Sequence, residues 1–159
     1  MDFEPREVDV TDSQKLIREL RQLFSSQGLA VLSTQERGQP YCNLVACAST
    51  EDLKELVFAT TRATRKYENI GGEPRVSMLI DNRSNEAADF HEAVAVTAIG
   101  RAAEVPADER DAYLALYLAK HPHLEDFVMS PTCALMKVRV HRYYVVSRFQ
   151  HVMVLDMDA

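Results

Sequence analysis

The fold depends most on residues 29–49, which read LAVLST, QERGQ and PYCNLVACAS in succession. The first and third segments are apolar and partly β-branched, and the polar segment between them contains Gly38. Two apolar runs joined by a short polar turn predict a β-hairpin. Because parallel strands need a long crossover, a short turn of this kind indicates antiparallel pairing.

The rest of the chain repeats this pattern of short extended runs joined by polar turns. Further strands are predicted at residues 55–60, 74–81, 92–105 and 133–149. Gly100 marks a bend or bulge in the strand over 92–105. Six such strands curl readily into a small barrel, which removes exposed strand edges. We therefore expect a mainly β (α+β) fold, a six-stranded antiparallel barrel with flanking helices.

Three helices are predicted around these strands. The first carries a capping-box pattern at Thr11 and Gln14, and we expect Gly28 to end it with a left-handed cap. A short helix over residues 62–70 is closed by Gly71 and Gly72, and a long one over 107–120 is stopped by His121 and Pro122. The apolar face of the first helix consists of Leu16, Ile17, Leu20, Leu23 and Phe24.

Composition limits the class of protein. The chain has 159 residues, with 18 Lys and Arg against 24 Asp and Glu, so we expect one domain over residues 1–159 that includes an N-terminal helical segment, 1–28. The net charge of −6 argues against nucleic acid as a partner. No apolar run is long enough to span a membrane, and the acidic start does not resemble a secretory signal. Three cysteines without CxxC spacing indicate reduced thiols in a cytoplasmic protein.

The most informative polar stretch is FATTRATRK, residues 58–66, at the junction between a strand and a helix. Cations are unfavourable in the first turn of a helix, because its free N–H groups already carry partial positive charge. A bound phosphate reverses that argument, since Thr hydroxyls, backbone N–H groups, Arg65 and Lys66 would all face one anion. The alternative is a solvated basic turn, paired with nearby acids such as Glu68 and Glu73.

Other candidate groups indicate no reaction. His121 stands at a helix C-terminus, where it is a favourable cap rather than a metal ligand. No nucleophile elbow, HExxH, Walker A or GxGxxG pattern occurs. The sequence therefore identifies no catalytic residue and no metal site.

The ordered motifs resemble those of the pyridoxamine 5′-phosphate oxidase-like, FMN-binding split-barrel family. They are GQPY (38–41), LVFAT (56–60), TRK (64–66), EPRVSML (73–79) and IGRAAEV (99–105). The resemblance covers residues 29–125 well and extends loosely to 150. Two shorter motifs, YLAKHP (117–122) and YYVVSRF (143–149), are similar to the related haem-utilisation proteins.

The resemblance implies a split barrel that forms a homodimer, with FMN in clefts at the subunit interface. Arg65 and Lys66 match the pair that grips the FMN phosphate, and Thr64 takes the hydroxyl position beside them. The resemblance also places three β-strand residues, Asn43, Leu44 and Val45, along the flavin ring. Thr60 and the adjacent Thr61, at the end of the next strand, complete the expected cofactor site.

The chain also departs from the family pattern. Family oxidases carry an Arg where Asn43 stands and a Lys where Ala48 stands, so the phosphate grip here is lighter or uses Arg62 or a cation of a partner chain. The C-terminal segment that builds the pyridoxal phosphate pocket is missing, and the chain contains no Trp. The resemblance therefore implies FMN binding without implying oxidation of pyridoxamine phosphate.

Three functions remain open. The leading one is an FMN-dependent oxidoreductase acting on an unidentified small molecule, with the flavin supplying the redox chemistry. The second is a non-catalytic protein of the same fold that binds a flavin, a deazaflavin or haem as sensor or carrier. The third is a purely structural dimer in which the basic turn is solvated.

Overall fold

A computed structural model describes residues 6–7, 10–148 and 151–158. The strands are β1 (Arg6–Glu7), β2 (Leu29–Glu36), β3 (Gln39–Ser49), β4 (Glu55–Thr61), β5 (Arg75–Asp81), β6 (Ala95–Glu104), β7 (Cys133–Ser147) and β8 (His151–Asp156). The α-helices are α1 (Val10–Ser26), α2 (Arg65–Gly72), α3 (Asp89–Glu92), α4 (Arg110–Lys120) and α5 (Glu125–Met129), and a 3₁₀ turn covers Pro122–Leu124.

Six antiparallel strands close into a barrel. Their order is β7-β4-β3-β2-β5-β6, and β6 pairs again with β7 to complete the ring. Strand β8 extends the sheet from the second half of β7, and β1 pairs with β8 in parallel. The predicted six-stranded antiparallel barrel with flanking helices is confirmed.

The β2–β3 hairpin turns at Arg37 and Gly38. Both residues have positive φ, 49° and 83°, and Glu36 pairs directly with Gln39. A two-residue turn with both central residues left-handed matches the twist of the flanking strands. The glycine in the predicted turn therefore has a backbone reason, since only Gly adopts this conformation at no steric cost.

The core lies inside the barrel and on one outer side of it. Inward-facing residues such as Leu32, Phe58 and Met78 pack against the apolar face of α1, including Leu16 and Leu20. A second cluster joins the outer face of β4 and β7 to α4, and its members include Val57, Leu135 and Tyr117. Strand β4 is therefore buried on both faces, which explains its continuous apolar sequence.

The ends of all three predicted helices differ from expectation. Helix α2, predicted over 62–70 with Gly71 and Gly72 closing it, begins at Arg65 after the Thr64 cap and includes both glycines. Helix α1 begins at Val10 and ends at Ser26, and Gly28 does not adopt the left-handed conformation predicted for it. Instead, Lys120 Nζ donates to the carbonyls of Phe24 (2.6 Å) and Gln27 (2.7 Å). A cation from another helix satisfies the orphan carbonyls there, so no glycine cap is required.

Other corrections concern the second half of the chain. Helix α4 begins at Arg110 rather than at residue 107, and the strand predicted over 92–105 starts at Ala95 because Glu92 ends helix α3. The strand predicted over 133–149 ends at Ser147, while residue 149 lies outside the described residues. The bulge predicted at Gly100 is confirmed, since the β6–β7 register shifts between Ile99 and Gly100.

A buried tyrosine fixes the turn between β3 and β4. The hydroxyl of Tyr143 donates to the carbonyl of Leu53 at 2.7 Å, and Leu53 is left-handed with φ 60°. Tyr143→Phe leaves that carbonyl unpaired, so we expect a loss of about 1–3 kcal/mol in the free energy of unfolding. Urea denaturation measures it, with Tyr144→Phe on the opposite, half-buried face of β7 as the control. Equal losses in both variants would contradict the assignment.

Candidate functional site

Three threonines build the turn between β4 and α2. Thr64 is the N-cap of α2, with extended φ and ψ, and its hydroxyl accepts from Tyr67 N. The same hydroxyl donates to the carbonyl of Thr61 (3.0 Å) and lies 2.8 Å from the hydroxyl of Thr60. Thr60 is buried, whereas Thr61 and Thr64 are half-buried. These hydroxyls therefore shape the turn that presents the free N–H groups of α2.

Two cations, Arg65 and Lys66, follow this cap in the first turn of α2. Arg65 is exposed, and its guanidinium carbon lies 5.2 Å from the centre of the Tyr41 ring. Lys66 is half-buried, and burial lowers the pKa of its ammonium below the ordinary value. Neither side chain forms an ion pair with any carboxylate of the described residues. Glu73, one of the acids considered as a partner, binds Arg75 at 2.8 Å instead.

Arg62 has a different role from its two neighbours. Its guanidinium binds Glu104 and donates to the carbonyls of Pro131 (3.0 Å) and Cys133 (3.4 Å). The hydroxyl of Tyr67 donates to the other carboxylate oxygen of Glu104 at 2.9 Å. Arg62 thus ties the turn to β6 and to the start of β7, and it is not available as the extra phosphate cation considered from the sequence.

Strand β3 has an open edge beside this turn. It pairs with β2 along Gln39–Ala46, but it pairs with β4 only at Cys47, Ala48 and Ser49. Beyond that point β4 stays with β7 up to Thr61, and so it diverges from β3. The barrel is split there, next to the N-terminus of α2.

The register shows which β3 groups face the opening. In a two-residue hairpin the residues that flank the turn, here Glu36 and Gln39, exchange both backbone hydrogen bonds. Odd-numbered residues of β3 therefore bond to β2, as Cys47 N does to the carbonyl of Gly28. Cys42 and Leu44 consequently turn their N–H and C=O groups toward the open edge.

The three β3 residues expected to line the flavin ring differ in what they present to the opening. Leu44 offers backbone groups to the opening, whereas the side chain of Val45 is buried in the barrel core. Asn43 is half-buried, and its Oδ1 atom is the one buried side-chain oxygen or nitrogen without a hydrogen-bond partner in the described part of the chain. A buried acceptor in this state costs free energy unless a donor reaches it.

The outer face of the neighbouring strands is apolar and uncovered. Leu44 and Leu29 are 62% and 57% exposed. Val31 lies directly between Leu44 and Leu79 in the paired strands, and Ile99 is also exposed on this side. A contiguous apolar surface of this kind is typical of an interaction site. We call these five residues the apolar face.

His121 occupies a separate, structural position. Its backbone N–H bonds to Tyr117 O at the C-cap of α4, as predicted, and its Nε2 donates to the carbonyl of Cys47 at 2.9 Å. Within the described residues, no three His, Cys, Asp or Glu side chains are grouped as a metal would need. No helix in the same part of the chain is long and apolar enough to cross a membrane.

The burial of His121 predicts a pH dependence of stability. Burial lowers its pKa below the ordinary 6.5, so the unfolded chain takes up this proton more readily than the folded one. Stability from this group is complete above pH 6.5 and is lost as the pH falls below it. Urea unfolding at pH 7.5 and 5.5 should show a drop that is smaller in His121→Gln, and an unchanged drop in the variant contradicts the prediction.

Sequence reasoning did not identify two residues that shape this site. Tyr41 lies against Arg65, and Glu104 holds Arg62. Both partners come from strands remote in sequence from the basic turn. The available signal for Tyr41 was an aromatic residue at an otherwise polar end of β3, which does not by itself indicate a partner.

Comparisons with known proteins agree with this architecture. A family model for pyridoxamine 5′-phosphate oxidase matches residues 16–147, most of the chain. The chain therefore belongs to the pyridoxamine 5′-phosphate oxidase-like family. A comparison with curated proteins finds no match.

Solved structures of similar fold have diverse descriptions. A heme binding protein from Mycobacterium smegmatis is 20% identical with a TM-score of 0.78, over 88% of this chain and 57% of that one. ChuZ from Campylobacter jejuni is 14% identical with a TM-score of 0.77, over 91% and 61%. A FAD-binding protein from Mesorhizobium loti is 16% identical with a TM-score of 0.65, over 80% and 90%. This chain spans less than two thirds of the first two, and such identities show the fold alone.

Proposed function

We propose that this protein binds FMN at the split between β3 and β4 and acts as an FMN-dependent oxidoreductase on a small molecule. The observation that carries the proposal is the position of two cations, Arg65 and Lys66, in the first turn of α2, where neither forms an ion pair with a described residue. Membership of the family and the similarity to a FAD-binding protein support a flavin as the ligand. When bound, FMN supplies hydride and electron transfer.

The phosphate end of the cofactor fits the basic turn. The free N–H groups of the first turn of α2 and the two cations provide donors and positive charge at one place. The half-buried ammonium of Lys66 gains most from an anion, because it has lost part of its hydration without gaining an ion-pair partner among the described residues. Thr64 orients the turn through its own cap, so the protein pre-organises this end before a ligand arrives.

The ring end fits the open edge of β3. The flavin pyrimidine ring carries carbonyl acceptors and an N–H donor along one edge. The backbone of Cys42 and Leu44 offers both donors and acceptors to that edge. The chain's own groups thus bind and orient the ring, while no described side chain is assigned as a proton donor or acceptor in turnover.

A second copy of the chain is proposed to cover the apolar face and to shield the cofactor cleft. Leu44 belongs both to that face and to the open edge, so one covering chain would close the two together. Leu29→Glu should convert the dimer to monomer in light scattering, because it buries a charge in an apolar interface. Met129→Glu, at an equally exposed position on α5, is the matched control. A wild-type monomer at micromolar concentration refutes the dimer.

The experiment for FMN is a fluorescence titration of purified protein with FMN and, in parallel, with riboflavin. We expect saturable binding of FMN and weaker binding of riboflavin, since only FMN engages the basic turn. No binding of FMN refutes the proposal. Reoxidation cycling of the loaded protein with a reduced nicotinamide and oxygen then distinguishes turnover from passive binding.

A non-catalytic haem-binding or deazaflavin-binding protein is the second candidate. The specific observation in favour of haem is the structural similarity to the M. smegmatis heme binding protein. A haemin titration followed by visible absorption, repeated with FMN present, distinguishes a haem-binding protein from an FMN-binding one. Tight haemin binding that FMN does not displace favours the alternative, and binding that FMN abolishes favours the flavin.

A further inference from the structure

We infer that Tyr41 is a positioning residue that holds the Arg65 guanidinium at the cofactor opening and thereby sets the preference for a phosphorylated over an unphosphorylated flavin. This inference rests on the proposed function. Tyr41 lies outside the residues that the basic-turn motif contains, and it acts through Arg65 rather than on the ligand.

Helix α2 contacts one pair of opposed residues in the β2–β3 hairpin at two points. Thr34 and Tyr41 are directly opposite each other in that hairpin. Asn69 Nδ2 donates to the buried hydroxyl of Thr34 at 3.0 Å, and Arg65 lies over the ring of Tyr41. Arg65 and Asn69 are four residues apart, so they project from the same face of α2. This residue pair therefore contacts one face of α2 in two ways: Thr34 through a buried hydrogen bond to Asn69, and Tyr41 through its ring against Arg65.

The Tyr41 ring restrains Arg65 in the way that a carboxylate usually restrains an arginine side chain. Arg65 has no ion pair among the described residues, and an unrestrained Arg loses much rotamer freedom when it binds an anion. A cation over an aromatic face is attracted without being neutralised. The guanidinium therefore keeps its N–H groups free of hydrogen bonds to the described residues, while part of the ordering cost of binding is already met.

Strand β3 couples the two ends of the cleft. Tyr41 bonds to β2 through its backbone, so its ring stands on a rigid strand rather than on a loop. The next residues on the same strand are Cys42 and Leu44, whose backbone groups face the opening. One strand thus positions the phosphate cation through a side chain and the ring-binding edge through its backbone.

A purely structural role for Tyr41 gives a different result. If the ring only packs against the barrel end, its removal alters stability or both flavins equally. If it positions Arg65, its removal affects only the ligand that carries a phosphate, and only while Arg65 is present. The FMN-to-riboflavin ratio of affinities is therefore the readout.

The experiment compares Tyr41→Leu and Tyr41→Phe in wild-type and Arg65→Ala backgrounds, with Kd for FMN and riboflavin by fluorescence. We expect Tyr41→Leu to weaken FMN by about three- to tenfold and riboflavin by less than about twofold, the range of one cation–π contact. Tyr41→Phe should restore FMN affinity, because it keeps the ring. Tyr41→Leu should cost nothing further once Arg65 is Ala.

Each other outcome overturns the inference. Equal losses of affinity for FMN and riboflavin indicate that Tyr41 has a packing role or contacts the flavin ring directly. No loss of affinity for either flavin shows that Arg65 needs no positioning. An undiminished FMN loss in the Arg65→Ala background shows that Tyr41 does not act through Arg65. A wild-type protein that binds no FMN refutes the proposed function itself, which is a different result from wild-type binding that Tyr41→Leu leaves unchanged.

Discussion

Arg65→Ala combined with Lys66→Ala should weaken FMN binding on the order of 100-fold or more, because two charge-assisted contacts to the phosphate are lost. Riboflavin has no phosphate, so its affinity should change little. The fold should be unaffected or slightly stabilised, since cations in the first turn of a helix oppose its dipole. Kd values from flavin fluorescence and unfolding curves for each variant measure both effects.

The matched control removes the same charge elsewhere. Lys15→Ala with Arg18→Ala removes two exposed cations from α1, and so reproduces the change in net charge without touching α2. FMN affinity should remain close to wild type in this control. If both double variants lose affinity alike, general electrostatic attraction explains the binding and the local site is refuted. If neither loses affinity, the phosphate does not lie at the basic turn.

Gly100→Ala should destabilise the protein by at least about 3 kcal/mol or prevent folding. A Cβ atom at Gly100 would lie 2.2 Å from the carbonyl oxygen of Arg139 and 2.9 Å from Cγ1 of Val138. The first clash is with backbone of the paired strand β7, which cannot move aside without breaking the barrel. The free energy of unfolding from urea titration, or the soluble yield where the variant does not fold, tests this.

Gly71→Ala is the control for this substitution. Gly71 lies inside α2, with nothing within 4 Å of an added Cβ. Alanine is a better helix former than glycine, so this variant should be more stable by up to about 1 kcal/mol. Opposite signs at the two glycines are expected. A mild effect at Gly100 would show that β6 and β7 can separate at the bulge, contrary to the packing described.

The hairpins, the apolar face of α1 and the bulge are predictable from the sequence, because each is determined by residues that are close together in the chain. Each hairpin is encoded by alternating apolar residues and a turn such as Arg37–Gly38, and the face of α1 is encoded by the spacing of Leu16 and Leu20. The bulge at Gly100 was also predictable from a glycine inside a strand. These features depend on residues that are neighbours in the chain.

The geometry of the split was not predictable, because it depends on remote pairings. The sequence presents Arg62, Arg65 and Lys66 as three similar cations, but Glu104 from β6 binds the first and leaves the other two free of ion pairs in the described chain. The open edge of β3 exists because β4 follows β7 beyond Phe58. The basic turn itself indicated an anion site at Arg65 and Lys66, whereas the flavin-ring residues of β3 were proposed only through the family resemblance. The roles of both sets remain predictions.

The closure of the barrel also determines when this protein can fold during synthesis. Strand β4 ends at Thr61, whereas its partner β7 begins at Cys133, so the ring cannot close until the ribosome has released most of the chain. Until then the edges of β4 and β6 lack the partner that β7 supplies to both. Nascent chains that stop before residue 133 should therefore be the aggregation-prone species.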